Sequence, residues 1–393
     1  FKTNAHCIYY EEARNNLVVT GNTFELADNA NVILLRGNTT FTDNIVKSGR
    51  TVNVVSGSPE VTGNNFNGVR FKVYNAATAT ISGNTINNLV FNDNSVVFST
   101  FGENTLSTEA QDVLDAASFP VAQIGTTKYG TLQAAINAVQ NGETITLLSD
   151  ITENVTLTEK VGLYYTIDGS DKTMNGSITV NPLSDTNDNR RITISNINFV
   201  ENTDTDVNFI SAVKTNHYPR LTISDCDFTG SGNDGDVAIR LKSSHSVVIN
   251  DCTGTKLHSF LQNTSGWNLT INNVAVTESK GGLALGTVQG VTVKGSNIDV
   301  NGYGIRLDAN TYNNNAVIET CTVNAFIPVV VRNVNTESSI TFNGTNTMTQ
   351  TNTDGLWCAI GTTEYEENGT MPTAPTGDVT VTLNRLKHGW CLW

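Results

Sequence analysis

Short segments that alternate apolar, polar and apolar positions repeat along the first third of the chain. In each segment an apolar residue is followed three positions later by Asn and five positions later by a second apolar residue. No 3.6-residue periodicity runs through them, so the pattern indicates two short strands meeting at a tight corner rather than a helix. The five segments are Val19–Phe24, Phe41–Val46, Val61–Phe66, Ile81–Ile86 and Phe101–Leu106, and their asparagines are 22, 20, 20 and 20 residues apart.

A constant spacing of roughly 20 residues predicts a repeat architecture in which each repeat is one supersecondary unit. Leucine-rich repeats share this spacing, but they need several leucines per repeat, and leucine is sparse here. We therefore predict an all-β fold, a parallel β-helix solenoid, in which each coil lays its strands in register on the preceding coil. Adjacent coils are then separated by about 4.8 Å, the ordinary spacing of hydrogen-bonded strands.

The asparagine at each corner predicts a ladder of side chains along the solenoid. We expect the Asn itself to adopt the left-handed backbone conformation that such a corner requires. Its amide both donates and accepts, so identical amides stacked on successive coils would bond to one another. The alternative, that Asn is merely common in loops, accounts for its abundance but not for its spacing.

The corner pattern stops after Leu106, and a second array of strands begins soon afterwards. We predict two β-helix segments, residues 1–118 and 119–393. At the end of the first segment, Thr108 and Gln111 have the spacing of a capping box and predict the start of a short helix.

A second helical pattern opens the second array. Leu132, Ile136 and Val139 have helical spacing, and Asn141-Gly142 is a typical helix stop. We predict a short capping helix near residues 131–140, which would cover the end of the solenoid core.

The capping sequence and the corners resemble those of a known superfamily. Tyr129–Ile136 reads Tyr-x-Thr-Leu-x-x-Ala-Ile, and Gly142–Leu147 reads Gly-Glu-Thr-Ile-Thr-Leu. Together they resemble the N-terminal cap of right-handed β-helix proteins of the pectin-lyase-like superfamily, in the form found in secreted and surface-attached bacterial proteins, including adhesin-like ones. The corner Ile81–Ile86 resembles the coil repeat of the same superfamily. The resemblance implies a right-handed parallel β-helix over nearly the whole chain, but one scaffold hosts many activities.

The corner frame returns in the second array with insertions at the turns. It starts at Ile194, Ile223, Ile249, Ile271, Val293, Ile318 and Phe342. The ladder position is now held by Ile197, Cys226, Cys252, Val274, Ser296, Cys321 and Thr345, which predicts a small, mostly apolar stack. Cys226 and Cys252 lie on consecutive coils, within reach of a disulfide, but we favour free thiols packed as small hydrophobic residues. Cys358 and Cys391 are better candidates for a disulfide in a secreted-type chain.

Composition excludes some partners and leaves others open. Only 15% of the 393 residues are charged, and the net charge of −14 argues against nucleic acid and anionic membranes as partners. No run of about 18 apolar residues predicts a membrane span. The chain opens at Phe1 without a signal peptide and inside a strand pattern, which predicts either that upstream residues have been removed or that this coil end meets another molecule. We expect an extracellular or cell-surface location.

The outward residues of one row of strands form the candidate ligand-binding surface. Members of the superfamily bind substrate in a groove beside one sheet, which by resemblance directs attention to the strand Val237–Leu241 and its equivalents. Alternation points Ile239 and Leu241 inward and Arg240 and Lys242 outward. One-coil steps then place Gln262, Ala284, Arg306 and Val330 beside Arg240, and Thr264, Gly286, Asp308 and Arg332 beside Lys242. The candidate ligand-binding residues are Arg240, Lys242, Gln262, Arg306, Asp308 and Arg332.

These residues suggest binding more than catalysis. Arg and Lys with an Asp would suit an acidic sugar, or a calcium ion and its sugar, and the alternative is ordinary solvated charge on a sheet. Polygalacturonase-type hydrolases of the superfamily use paired carboxylates and the motifs Asn-Thr-Asp, Asp-Asp, Gly-His-Gly and Arg-x-Lys in that order. Here Asn352–Asp354 has the first motif alone, so we assign no catalytic residue and no metal ligand. The acidic insertions are interpreted as solvated turns rather than calcium loops; they contain Asp185, Asp188, Asp204, Asp206, Asp234 and Asp236.

Three hypotheses for function follow. The first is a secreted or cell-surface β-helix protein that binds and displays, in the manner of an adhesin, with a polysaccharide or host glycan as its partner. The second is a polysaccharide lyase that uses Arg240, Lys242, Arg306 and Asp308. The third is a stalk or filament segment that self-associates through its coil ends, which concentration-dependent light scattering would reveal.

Overall fold

The computed structural model of the chain is built almost entirely from strands. It describes residues 2–3, 7–8, 15–27, 31–93, 95–184, 190–201, 206–232, 235–308, 315–332, 339–351, 360–361 and 379–383. The chain forms two compact units, Phe1–Pro120 and Val121–Trp393. In each unit successive coils pair in parallel, so the predicted parallel β-solenoid is confirmed.

The coils of the first unit contribute strands to three parallel stacks. The stack that leads into the corners, here the leading sheet, comprises Asn15–Thr20, Asn38–Thr42, Glu60–Thr62, Thr80–Ser82 and Thr100–Phe101. The strands that follow the corners, here the trailing sheet, are Lys2–Thr3, Thr23–Leu26, Ile45–Ser48, Thr85–Ile86 and Thr105–Leu106. The third sheet comprises Asn31–Leu35, Thr51–Val54, Arg70–Val73 and Leu89–Phe91.

A helix follows the last coil of the first unit. It spans Thr108–Asp115, and the side chain of Ser107 accepts a hydrogen bond from the backbone N–H of Ala110 as its N-cap. The helix was expected, but its cap is Ser107 rather than Thr108, because Thr108 already has helical backbone geometry.

The second unit begins with the expected cap. The strands Ala122–Ile124 and Thr127–Tyr129 form an antiparallel hairpin, and the first of them also pairs antiparallel with Thr144–Leu147. The helix Leu132–Ala138 lies between, with Thr131 as its N-cap, and it buries Leu132, Ala135 and Ile136. The predicted capping helix is therefore confirmed.

The coils of the second unit form three corresponding sheets of their own, named here by the same positions in the coil, and longer strands bend from one sheet into the next. The leading sheet contains Thr144–Leu147, Leu221–Ser224, Val248–Asn250, Asn315–Glu319 and Ser339–Asn343. The trailing sheet contains Ile151–Thr152, Asp227–Thr229, Thr253–Thr255, Ala275–Ser279, Asn297–Val300, Thr322–Ala325, Asn346–Gln350 and Val379–Leu383. The third sheet contains Val155–Thr158, Ile178–Asn181, Asn208–Ala212, Val237–Leu241, Tyr303–Asp308, Ile327–Arg332 and Ile360–Gly361. Strands that serve two sheets are Tyr164–Asn175, Arg191–Val200, Ser259–Asn272 and Gly281–Lys294, and the short strand Ser244–His245 extends the pairing at one bend.

The asparagine ladder of the first unit is confirmed. The Nδ2 of Asn64 donates to Oδ1 of Asn84 at 2.9 Å, and the Nδ2 of Asn44 donates to Oδ1 of Asn64 at 3.1 Å. Each Oδ1 also accepts the backbone N–H of the Asn one coil earlier. The side chains of Asn44, Asn64 and Asn84 are buried, so these bonds replace water for groups that would otherwise be costly to bury.

The prediction that the ladder residue itself is left-handed was wrong. The positive φ lies one residue earlier, where Cβ-free Gly or short polar Asp tolerates it. This shift leaves the Asn free to turn its amide into the coil. The left-handed residues at these corners are Gly21, Asp43, Gly63 and Gly83 in the first unit and Asn196, Asp225, Asp251, Asn273, Gly295, Thr320 and Gly344 in the second. Gly344 lies two residues before its ladder residue, Asn346, because the last corner contains one extra residue.

The small buried stack predicted for the second unit is present, with one correction at its end. Cys226 and Cys252 are free and fully buried, as predicted. At the last coil Thr345 is exposed, and Asn346 occupies the ladder position instead. The trailing strand is displaced by one extra residue, because Glu319 pairs with Asn343 whereas Thr322 pairs with Thr347.

The interpretation of the acidic insertions as solvated turns was wrong for Asp236. Its side chain is fully buried and accepts hydrogen bonds from the backbone N–H groups of Val207 and Ser231 and from the Ser231 hydroxyl. It therefore holds two insertions together rather than facing solvent. Asp206 is exposed, and Asp185, Asp188, Asp204 and Asp234 lie outside the described residues, as do Cys358, Cys391 and Asn352–Asp354.

Candidate ligand-binding groove

The register of the third sheet brings the predicted row of side chains together. Arg240 pairs with Gln262, Gln262 with Ala284, and Ala284 with Arg306, each one coil further on. Ile239 and Leu241 are buried and Arg240 is exposed, as alternation predicts. The row is therefore a continuous outward stripe across four coils.

A groove of about 650 Å³ lies on this stripe. Gln262, Ala284 and Arg306 line it, together with residues at and just before the starts of the third-sheet strands. Three of these bring side chains of chemical interest: His258 and Lys280, each immediately before a strand, and Tyr303, the first residue of its strand. The remaining lining residues are Ser259, Asn263, Thr264, Gly281, Gly282, Leu283, Gly286, Thr287 and Gly302.

Glycines line the groove at positions where the neighbouring coil lies too close for any side chain. A Cβ on Gly286 would lie 1.9 Å from the carbonyl oxygen of Thr264, and one on Gly302 would lie 2.4 Å from that of Lys280. Neither contact is tolerable, so only glycine permits this approach. The small Ala284 completes a floor with little side-chain bulk.

The groove carries cationic groups and no acidic ones. Arg306 and Lys280 line it on adjacent coils, and no Asp or Glu is among its lining residues in the described part of the chain. This is unusual in a chain with a net charge of −14. A concave site lined by one sign of charge concentrates ligands of the other sign, so the groove favours an anion.

Two buried polar atoms beside the groove have no hydrogen-bond partner in the described structure. They are the Nδ1 of His258 and the Oδ1 of Asn263. The opposite end of the Asn263 amide is held, since its Nδ2 donates to the Ser244 hydroxyl at 2.9 Å. A buried polar atom without a partner costs free energy, and such atoms are common where a ligand or water completes the site.

The predicted site residues divide into those in the groove and those beside it. Gln262 and Arg306 line it, whereas Arg240 and Lys242 are exposed but outside the lining. Asp308 and Arg332 pair through their backbones on adjacent strands, and their side chains lie outside the description.

The outward row ends at Val330, which corrects one expectation. Val330 pairs with Arg306 as predicted, yet it is fully buried rather than outward-facing. Alternation fails on this coil because Pro328, Val329 and Val330 are all buried in sequence, which means that both faces of the strand are covered here.

Reasoning from strand alternation missed His258, Lys280 and Tyr303. His258 and Lys280 lie between strands, where no period of two applies, and Tyr303 begins its strand out of phase with Arg306. Glycine marks two of the three, in Lys280-Gly281-Gly282 and Gly302-Tyr303-Gly304, whereas His258 has no such signal. Paired glycines at the same place on successive coils indicate close backbone approach and an open surface.

Metal-ligating side chains are not clustered in the described part of the chain, where no three or more His, Cys, Asp or Glu side chains are grouped to hold a metal ion. The two described helices are short, and neither has the length and apolarity to cross a membrane.

Comparison with known proteins finds no family whose model matches this sequence and no curated protein that matches it.

Proposed function

We propose that this protein binds an extended acidic glycan in the groove without cleaving it, as a secreted or cell-surface protein. The observation that carries the proposal is the presence of Lys280 and Arg306 in a groove whose described lining includes no Asp or Glu, on a strongly acidic chain. Arg and Lys bind sugar carboxylates through charge-assisted hydrogen bonds. Glycoside hydrolysis uses two carboxylates, and the described lining residues do not supply such a pair.

The repeat geometry favours a long ligand over a compact one. Arg306 and Arg240 are three coils apart, about 14 Å at the ordinary strand spacing. Gln262 lies between them in the same row and offers both a donor and an acceptor. Three polar side chains spread over four coils, with Ala284 between Gln262 and Arg306, suit successive sugars along one chain better than a single compact ligand.

We also propose that the protein is similar to adhesin-like members of the pectin-lyase-like superfamily. Its support is the sequence resemblance of Tyr129–Ile136 and Gly142–Leu147, together with a parallel solenoid that opens with a hairpin and helix over its first coil. A solenoid presents a long side surface, which suits binding of polymers.

One observation favours a second candidate, a polysaccharide lyase. Lys280, His258 and Tyr303 surround the same groove as Arg306, so a cation and a base lie closer together than the sequence indicated. In β-elimination the base removes the proton beside the sugar carboxylate, the C–O bond to the leaving sugar breaks, and its electrons leave with the oxygen, which then takes a proton. The carbon–hydrogen electrons form a carbon–carbon double bond that absorbs ultraviolet light.

Binding measurements with acidic oligosaccharides test the proposal. We expect the protein to bind at least one of a set of tetrasaccharides from polygalacturonate, alginate and hyaluronan, and Arg306→Ala to weaken that binding about tenfold, the value of about 1.4 kcal/mol for a charge-assisted contact. Lys47→Ala, which removes an exposed cation from the other unit, is the matched control and should have no effect. Equal affinities of Arg306→Ala and wild type would contradict the assignment of the groove.

The same oligosaccharides distinguish binding from cleavage. We expect ultraviolet absorbance to stay constant during prolonged incubation with each acidic polymer. A steady rise that is abolished by Arg306→Ala or His258→Ala would establish the lyase in place of the binding protein.

A further inference from the structure

Three rings from three successive coils form a cluster at the surface of the second unit. The ring centroids of Tyr218 and Trp267 are 5.0 Å apart, and those of His245 and Trp267 are 6.0 Å apart. Trp267 remains 37% exposed, which is high for so large an apolar side chain on a β-solenoid. We call Tyr218, His245 and Trp267 the aromatic platform.

Backbone pairing holds the platform in place. His245 pairs in parallel with Trp267, and the backbone N–H of Ser246 donates to the carbonyl of Trp267 at 3.1 Å. The backbone N–H of His245 donates to the carbonyl of Pro219, next to Tyr218. His245 and Trp267 therefore project from paired strands, and one backbone hydrogen bond ties the turn that carries Tyr218 to them.

A buried ion pair supports the turn that carries Tyr218. The Nε of Arg190 donates to Oε2 of Glu159 at 2.7 Å, and both side chains are 1% exposed. Arg190 also donates from Nη2 to the Tyr218 carbonyl at 2.9 Å, and Oε1 of Glu159 accepts the backbone N–H of Arg220 at 2.9 Å. Both ends of the Tyr218–Arg220 turn are thus tied to the core. Such a support fixes ring positions before a ligand arrives, which lowers the entropy cost of binding.

The platform lies on the same strand as the groove. Trp267 belongs to the strand Ser259–Asn272, which also provides Gln262 to the groove floor. Between them Ser265 pairs with Thr287, the last groove residue on the next coil. Trp267 lies five positions after Gln262, about 17 Å of extended chain at most, and the strand bends between sheets over this distance.

We propose that the aromatic platform is a second sugar-binding subsite, which stacks a pyranose ring of the same acidic glycan that occupies the groove. This inference rests on the proposed function, since it places another part of one ligand. The C–H face of a sugar is apolar and complements an exposed indole, while its hydroxyls stay in water. Trp and Tyr supply large contact areas with little loss of side-chain freedom, which is why they dominate binding hot spots.

The platform itself offers apolar ring faces rather than charge. Arg190 is neutralised by the buried carboxylate of Glu159, and burial, followed by the charges of Arg220 and Arg190, lowers the pKa of His245 and so favours its neutral form. The platform therefore stacks a sugar ring, while the cations of the groove select the acidic ligand.

Ligand length tests the subsite because short ligands fill the groove alone. The probes are tetrasaccharides and octasaccharides of polygalacturonate, alginate and hyaluronan, measured by calorimetry with the full chain. We expect wild type to bind an octasaccharide about tenfold more tightly than the matching tetrasaccharide. Trp267→Ala should remove this gain and leave tetrasaccharide affinity unchanged. Trp267→Phe, which keeps an aromatic face, should retain most of the gain, and Tyr74→Ala, at a half-buried aromatic in the other unit, should retain all of it.

The outcomes separate the platform from the groove. A length gain that survives Trp267→Ala, or no gain in wild type, overturns the platform and leaves the groove intact. Octasaccharide binding that is lost in Trp267→Ala but unchanged in Arg306→Ala overturns the groove and supports the platform. Failure of wild type to bind any of the probes overturns both.

Discussion

Replacing Asn64 with Leu is the sharpest test of how the first unit is held together. The Nδ2 of Asn64 donates to the carbonyls of Phe41 and Thr62 and to Oδ1 of Asn84, at 2.8, 3.0 and 2.9 Å. Its Oδ1 accepts the backbone and side-chain N–H groups of Asn44 at 2.9 and 3.1 Å. Leu has a similar size and can make none of these bonds.

The cost follows from which partners can be satisfied elsewhere. Oδ1 of Asn84 still accepts the backbone N–H at position 64, and Nδ2 of Asn44 still donates to the carbonyl of Val19. The backbone N–H of Asn44 loses its acceptor in a buried corner. One such orphaned group costs about 1–3 kcal/mol, and the net loss of the remaining bonds adds about 1 kcal/mol. We therefore expect Asn64→Leu to destabilise the protein by about 2–4 kcal/mol.

Asn65 provides the matched control one residue away. Its side chain is half-exposed, and its Oδ1 accepts only the exposed backbone N–H of Asn67 among the bonds described. Asn65→Leu makes the same chemical change, and we expect it to cost less than about 1 kcal/mol. Urea unfolding measures both variants, and hydrogen exchange should show faster exchange of the Asn44 amide in Asn64→Leu alone. Equal unfolding midpoints for the two variants would refute the ladder as a source of stability.

Three further predictions concern the second unit. Alkylation of the unfolded, unreduced protein should label both Cys226 and Cys252, and a peptide linked through the two would contradict the free thiols. The folded state lowers the pKa of His245, so the unfolded state binds more protons. The free energy of unfolding should therefore fall as pH drops below the unfolded pKa of about 6.5. The loss in melting temperature between pH 7.5 and 5.5 should be smaller in His245→Gln than in wild type, and an identical loss would contradict the contribution of His245 to this pH dependence. Glu159→Gln should cost about 3–5 kcal/mol in urea unfolding, because it replaces the charged partner of Arg190 in a buried ion pair with a neutral amide. Glu319→Gln, which breaks a surface ion pair, should cost under about 1 kcal/mol, and similar costs for the two would disprove the role of burial.

The fold was predictable because its signal is local and repeated. A one-coil step of constant length aligns Val61 with Ile81 and Thr62 with Ser82, and those registers appear in the structure. The left-handed residue was misplaced by one because Gly63 and Asn64 both tolerate positive φ, and only the inward demand of the ladder decides between them.

The groove was only half predictable. Alternation along a strand locates outward residues such as Gln262 and Arg306, because their direction is fixed by the pleat. His258 and Lys280 lie in connections whose lengths vary between coils, and Tyr303 begins its strand out of phase with Arg306, so no period places them. The burial of Asp236 was not predicted for a similar reason, because it depends on contact between two insertions, which sequence spacing does not encode.

The direction of the asparagine ladder has a consequence for how the first unit is assembled during synthesis. The corner N–H of each coil takes its acceptor from the following coil, as Asn44 does from Asn64 and Asn64 from Asn84. A coil at the growing end therefore leaves its corner N–H to solvent until its successor supplies the acceptor. We expect the array to grow in one direction, each new coil completing the one before it, with the newest coil the least stable. An arrest of synthesis within the array would leave one incomplete corner, at its growing end, whatever the number of coils already made.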